Sequence, residues 1–329
     1  MDYRRKHMSP RVTFAVLAFE QEAYIEEAIA GAFAQDFPSI EIILSDDCST
    51  DRTYSLMRQM ADRYSGPHVV RHRRNEYNMG IGAHINSVMQ IASGDLLVAA
   101  AGDDIALPGR TRRLVAEWEA TGRKADLLCS AYYGMSELGE LQGEKSGLPV
   151  GPLALETVAR YGHGVVGATE AWTRRLWNRF GDLPAGTVNE DQVLTFRALL
   201  LGGILYVDEP LVQYRQGVSK WIERGEAGRV ELQRRNTRLA RFSAHNARVA
   251  RADALELGRA DLLPLLNARI AEAELIALIQ QGRNPSLGEL FAGIRAGARA
   301  TRVGRALLRT RVPLLHEIAL KARRLRNSM

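Results

Sequence analysis

Short apolar runs alternate with amphipathic stretches through the first half of the chain. Val12–Phe19 (VTFAVLAF), Ile40–Ser45 (IEIILS), Val69–Arg74 (VVRHRR), Asp95–Ala101 (DLLVAAA) and Asp126–Tyr133 (DLLCSAYY) have the length and composition of strands. Between the first two, Ile25, Ala28, Ile29 and Phe33 recur at helical spacing. Further helices are expected from Arg52 to about Tyr64 with Asp51 as its cap, from about Ile81 to Ala92, and after Pro108, with Leu114, Val115 and Trp118 on one face. This alternation predicts an α/β sheet whose strands are joined by crossover helices.

The order then loosens. Leu138–Pro152 is rich in Gly and Glu and reads as a surface loop; Val165–Trp172 reads as a strand followed by a helical RRLWNRF. NEDQVLTFRALLLG is a helix with a glycine stop, and ILYVDEPLVQYR is a strand interrupted at Pro210. Beyond Trp221 the strand signal ends, and the last hundred residues read as helices broken at Gly258, near Gly282–Pro285 and at Pro313.

Composition narrows the class without naming an activity. With 46% hydrophobic and 25% charged residues, the 329-residue chain is that of an ordinary globular protein. Two cysteines, Cys48 and Cys129, make neither a disulfide framework nor a metal-ligand spacing, which fits a reducing cytoplasm. A signal peptide is not expected, and no apolar run approaches the roughly 20 residues needed to span a bilayer. The net charge of +6 is concentrated at one end: residues 282–329 hold 11 Lys or Arg against 2 acids, leaving 33 basic against 36 acidic elsewhere.

The acids recur where apolar strands run out. Glu20 and Glu22 follow the first strand, Asp46 and Asp47 the second, and Asp103 and Asp104 the fourth. Ligands of open α/β sheets bind outside the carboxyl ends of the strands. Carboxylates there suit a hard divalent cation bridging phosphates, or hydrogen bonds to a base or sugar. Each cluster alone also fits a plain alternative: DDCSTD a helix cap, GDD a turn, and Glu190–Asp191 the solvated first turn of a helix.

Their order resembles the family 2 glycosyltransferases, which have the GT-A fold, a Rossmann-like mixed sheet with flanking helices. The resemblance covers about Val12 to Ser219 and is carried by VLAFEQEAYIEEAIAGAFAQDFPSIEIILSDDCSTD, NMGIGAHIN, SGDLLVAAAGDDIALPGR, NEDQVLTFRALLLG and LYVDEPLVQYRQGVS. It implies a catalytic domain over residues 1–221, with a nucleotide-sugar half at about 10–133 and an acceptor half at about 134–221, and a basic helical region over 222–329. It further implies that Asp47 accepts from uracil or another base with Asp46 supporting the loop, that Phe19 and Glu20 flank the nucleoside, and that Asn78 and Gly80 line the nucleotide site. His84, with Asn86, lies on the helix behind. Asp103 and Asp104 would hold Mn2+ or Mg2+ under the donor diphosphate, while Asp191 would be the general base and Glu190 its neighbour on the acceptor side. Two positions depart from the pattern: Ala101 stands where the first Asp of the D-x-D motif is found, and no His follows Tyr214-Arg215.

The activity implied is inverting transfer of a sugar from a nucleotide-sugar, UDP-linked, to a hydroxyl of a carbohydrate or lipid-linked acceptor in bacterial surface polysaccharide or glycolipid assembly. A nucleotidyltransferase would carry a Gly-rich phosphate loop after strand one, and a dehydrogenase a G-x-G-x-x-G there; VLAFEQEAY has neither. An inactive nucleotide-binding or assembly protein on the same fold stays open, given Ala101 and the missing His. The basic tail suits either packing and homo-oligomerisation or contact with an anionic membrane surface, which would make the protein cytoplasmic or peripheral on the inner face of the membrane. Without interleaved aromatics it does not suit nucleic acid. Loops Ser136–Gly151 and Gly162–Trp172 would set specificity.

Overall fold

The computed structural model describes residues 10–149, 153–217 and 229–311. The chain forms two compact units, Met1–Val158 with His163–Lys220, and Ala159–Gly162 with Trp221–Met329. The expected break at Pro313 and the expected boundary at 221/222 lie outside the described residues.

The first unit opens with β1 (Val12–Ala18), α1 (Ile25–Phe33), β2 (Glu41–Asp46), α2 (Thr53–Arg63), β3 (Val69–Arg74), α3 (Ile81–Ile91) and β4 (Leu96–Ala101). These four strands lie in the order β3-β2-β1-β4, all parallel. β5 (Ile105–Ala106), α4 (Arg110–Ala120), β6 (Leu127–Met135) and β7 (Leu141–Lys145) follow, then α5 (Leu155–Tyr161), β8 (Ala171–Thr173), α6 (Arg174–Phe180), α7 (Glu190–Leu201) and β9 (Ile204–Arg215). The sheet continues from β4 through β8, β6 and β9 to β5, with β7 paired to β6. β8 runs antiparallel to both β4 and β6, so the sheet is mixed.

The apolar periodicity has a direct outcome in packing. Phe14, Val16, Ile42, Leu44, Val98 and Ala100 present one face of the sheet to Ile25 and Ile29 of α1, Met57 of α2, and Leu114, Val115 and Trp118 of α4. Each large aliphatic buried in this way contributes about 1.5–3 kcal/mol. The Trp118 indole finds its partner in the Ala125 carbonyl at 2.9 Å.

Three expectations change. Leu138–Pro152 is not wholly a surface loop, because Leu141–Lys145 forms β7, pairing Tyr133 with Glu144 and Tyr132 with Lys145. Most of β7 is exposed, so burial imposed no apolar alternation there for a pattern to reveal. Val165–Trp172 yields strand only at its end, since Gly167–Thr169 winds into a 3-10 turn before β8. Pro210 does not divide the last strand: β9 passes through it, and the register against β6 slips between Ser130↔Val207 and Ala131↔Pro210.

In the second unit, α8 (Arg229–Glu256), α9 (Leu263–Gln280), α10 (Leu287–Arg295) and α11 (Ala300–Arg311) are separated near Gly258 and Gly282. Leu275 and Ile279 of α9 pack with Leu290, Ala298, Val303 and Ala306. Glu272 of α9 holds Arg160, Arg299 and Arg302 together, and although burial opposes it, hydrogen bonds from Arg299 and the charges of Arg299 and Arg302 draw its carboxyl down to about 2.

Candidate active site

The parallel register gathers the acids. Ala18 of β1 pairs with Asp46 of β2, and Leu17 pairs with Ala101 of β4. The ladder bonds continue past the strand ends, with Asp47 N donating to Ala18 O and Gly102 N to Leu17 O, each at 2.9 Å. Phe19–Glu20, Asp46–Asp47 and Asp103–Asp104 therefore emerge along one edge of the sheet.

The first two loops are laced together. Glu20, at φ 49°, donates its N–H to Ser49 Oγ at 2.7 Å and accepts from Thr50 Oγ1 at 2.8 Å. Phe19 N donates to Gln21 Oε1, and Gln21 N to Thr53 Oγ1. Asp51 stands one residue before the helix N-cap and accepts from the amides of Thr53 and Glu22. Asp46 is fully buried, accepting from Ser49 N and Ser49 Oγ and pairing with Arg74 at 3.2 Å. Burial raises its carboxyl despite these partners.

Asp47 latches the segment entering α3. Its Oδ1 accepts from Asn75 Nδ2 (2.6 Å) and Met79 N (2.9 Å), and its Oδ2 from Gly80 N (2.9 Å). Gly80 sits at φ 76°, and its N–H is shared with the exposed Asn78 side chain. His84 is 2% exposed and meets Ser45 Oγ at 2.7 Å, and burial holds its imidazole down to about 4, neutral at physiological pH. Asn86 is bound both ways to the Leu183 backbone. His84 and Asn86 thus serve packing behind the edge.

The Asp103–Asp104 loop is built around Gly102 and Arg215. A Cβ at Gly102 would lie 2.5 Å from Gln21 Oε1 and 2.7 Å from Ala18 Cβ. Asp104 is 2% exposed: its Oδ1 accepts from Arg215 N at 2.7 Å, while its Oδ2 is buried without a hydrogen-bond partner. Burial, and secondly Asp103, push the Asp104 carboxyl well up; burial also raises Asp103. The Arg215 side chain donates to Asp103 O, Glu137 O and Glu27 Oε2, and lies 4.5 Å from the centre of the Tyr24 ring.

Asp191 and Glu190 open α7 behind Asn189, which is left-handed at φ 60°. Asp191 Oδ1 accepts from Gln192 N at 2.9 Å, and Gly167 lies close enough that its Cβ would fall 3.6 Å from both Asp191 Cβ and Glu190 Oε1. Burial lifts Asp191 to about 6; burial and then the charge of Asp191 lift Glu190 to about 7. Burial, and then the charges of Asp104 and Asp103 and more weakly that of Asp191, push the Tyr214 phenol up to about 12.

Three participants were not singled out from the sequence. Arg215 was visible only as the end of a Tyr-Arg pair. Arg110 is fully buried, with Nη2 on Glu170 O at 3.1 Å and Nε and Nη1 unpaired. It lies on the helical face of Leu114 and Trp118, a spacing that marks it as core-facing. Glu170, 1% exposed with an unpaired Oε1, is raised by burial and by Asp191 and Glu190; GATEAW carries no signal for it.

Two hard carboxylates side by side, one with a buried orphan oxygen, fit a divalent cation completed by phosphate and water oxygens. Among the described residues no group of three His, Cys, Asp or Glu side chains is placed to hold a metal.

Residues 13–175 match the family model described as Glycosyl transferase family 2. Those residues belong to this family. The Rhizobium meliloti succinoglycan biosynthesis protein ExoO is 34% identical over 113 residues, 34% of this chain and 31% of ExoO. Other curated relatives are likewise matched over only 25% to 50% of their length. Among solved structures, Staphylococcus aureus TarS 1–349 in complex with UDP-GlcNAc superposes with TM-score 0.56 at 16% identity, covering 92% of this chain and 91% of that one. The mannosyltransferase PcManGT of Pyrobaculum calidifontis, in complex with GDP-Man and Mn2+, gives 0.52 at 18% identity, covering 93% and 88%. The shared fold is the GT-A sheet with flanking helices, here followed by a helical C-terminal region.

Proposed function

We propose that this family 2 glycosyltransferase transfers a sugar from a nucleotide-sugar, a UDP-sugar, to an acceptor hydroxyl with inversion, in cytoplasmic assembly of a bacterial surface polysaccharide or glycolipid. Residues 1–221 carry the chemistry. The observation behind this reading is that the parallel register sets Asp46–Asp47 and Asp103–Asp104 at the carboxyl ends of neighbouring strands, with one buried oxygen of Asp104 left without a hydrogen-bond partner.

Each residue has a task its surroundings suit. A sugar hydroxyl needs a base to take its proton, and Asp191, lifted to about 6, is ionised at neutral pH yet basic enough to accept it. Glu190, at about 7, stands beside it as the acceptor-side carboxyl. Asp103 and Asp104 would hold Mn2+ or Mg2+, which supplies charge stabilisation to a departing diphosphate. An ionised carboxylate offers about four acceptor positions, and three on Asp47 are filled by Asn75, Met79 and Gly80. The fourth remains for a base N–H, with Asp46 bracing the loop from behind. Phe19 and Glu20 border that end, and Asn78 and Gly80 line it.

The test is transfer and donor hydrolysis by purified protein across a panel of nucleotide-sugars with Mn2+ or Mg2+, alongside Asp191→Asn. Turnover by the wild type and its loss in the variant are expected. A second reading, nucleotide binding without turnover, is favoured by Ala101 in place of a third acid; tight nucleotide binding without hydrolysis of any donor would establish it.

A further inference from the structure

Helix α10 is apolar on two faces, and among the described residues only one of them is covered. Its inner face rests on α9, where Leu290 packs beside Leu275, and Gly293 approaches so closely that a Cβ would lie 2.3 Å from Leu275 Cδ1. On the outside, Leu287, Phe291 and Ile294 are 74%, 68% and 47% exposed. Offsets of four and three residues place them in one stripe. Arg295 follows Phe291 by four residues on the flank of the stripe, and Arg283 just before the helix and Arg305 on α11 are exposed as well. From Arg283 to Arg311 the chain carries seven arginines, of which Arg299 and Arg302 are paired with Glu272, and one acid, Glu289, whose carboxylate is turned back onto the Ser286 N–H in a capping box.

We infer that this stripe is an interfacial docking surface for an anionic lipid bilayer, with Leu287, Phe291 and Ile294 entering the headgroup boundary and the arginines meeting lipid phosphates. An apolar face rimmed by cations has the chemistry of helices that lie in a membrane surface. It is complementary to that surface and not to itself, because a second copy would bring a matching set of arginines into the same contact. No helix among the described residues is long and apolar enough to cross a bilayer. This inference does not depend on the chemistry proposed for the strand edge.

Co-sedimentation of the full chain with vesicles tests it. Binding to phosphatidylcholine vesicles containing phosphatidylglycerol is expected, with little binding to pure phosphatidylcholine. Leu287→Ser with Phe291→Ser should weaken it by at least about tenfold, and Arg295→Glu with Arg305→Glu by at least about 25-fold, each arginine lost being worth about fivefold before the reversed charge is counted. Since all four side chains are exposed, melting temperature and donor hydrolysis in solution should match the wild type, which separates lost docking from lost folding. The inference is overturned by a wild type that ignores anionic vesicles, by equal binding to neutral ones, or by undiminished binding of the Leu287/Phe291 variant. A wild-type dimer that this variant dissolves, with no vesicle binding, would likewise overturn it and assign the stripe to self-association.

Discussion

Replacing Arg215 by Met removes a cation that ties four segments together while keeping most of its apolar stem. The side chain is 4% exposed and donates at 3.0 Å to Asp103 O, at 3.0 Å to Glu137 O, and at 2.5 Å to Glu27 Oε2. A hydrogen bond from a charged donor is worth about 1.5–3 kcal/mol. The Glu27 pair must be discounted to about 1 kcal/mol or less, because that carboxylate is 57% exposed. The guanidinium also loses hydration on burial, which offsets part of the sum. A net loss of about 3 kcal/mol follows, and in a unit of this size it lowers the melting temperature by about 6–12 °C. Arg215→Lys keeps the charge but reaches fewer acceptors, so about half that loss is expected. Thermal unfolding followed by near-UV circular dichroism reads both. The Asp104–Arg215 backbone bond survives either change, so the nucleotide-plus-Mn2+ stabilisation should weaken without vanishing. A melting point within 2 °C of wild type for Arg215→Met (about 1 kcal/mol or less), or equal losses in both variants, would refute this reasoning.

Other outcomes are equally open to measurement. Asp191→Asn should lower transfer by about 10²–10⁴-fold, and wild-type kcat/KM should fall as pH drops through about 6 to 7, where the base protonates; a flat acid limb would remove Asp191 from the role. Glu190 and Asp191 are raised in the folded state, so below their unfolded values they cost nothing. Between about pH 4 and 7 the folded protein holds protons that the unfolded chain has released, and stability falls as pH rises through that window. Comparing melting temperatures at pH 5 and pH 8 should show a smaller fall for Glu190→Gln than for wild type. Asp103→Asn or Asp104→Asn should abolish the Mn2+-dependent part of donor-induced thermal stabilisation while leaving nucleotide binding at Asp47. Gly102→Ala forces a methyl against Ala18 Cβ and should cost about 1–3 kcal/mol in urea unfolding.

Periodicity located most of the fold because burial had written it. β3 and α6 fall where the alternation places them, and the other parallel strands are within about two residues at their ends. β7 stayed hidden because its exposed side chains face no core, and the Gly167–Thr169 turn because a strand-like run of small apolar residues does not encode a bend. At the site, the acids were legible as residues ending strands. Arg110 and Glu170 were not, since a buried arginine and a surface arginine read alike unless helical phase is followed.

What the sequence by itself determined is the local order: which runs become parallel strands, that Asp46–Asp47 and Asp103–Asp104 follow two of them, and that Glu190–Asp191 open a helix far along the chain. Strand pairing then decided which of these acids meet. Placing β1 between β2 and β4 brought residues more than fifty positions apart onto one edge, and the passage of β9 beside β6 delivered Tyr214 and Arg215 to it. Tertiary structure also divided labour between neighbours: Asp46 is sealed beneath Ser49 and Arg74, while Asp47 holds the Asn75–Gly80 segment. It likewise raised Asp191 and Glu190 toward neutrality, because desolvation depends on what surrounds a carboxylate in space. Chain order cannot carry that information, since each of these environments is assembled from elements distant in sequence.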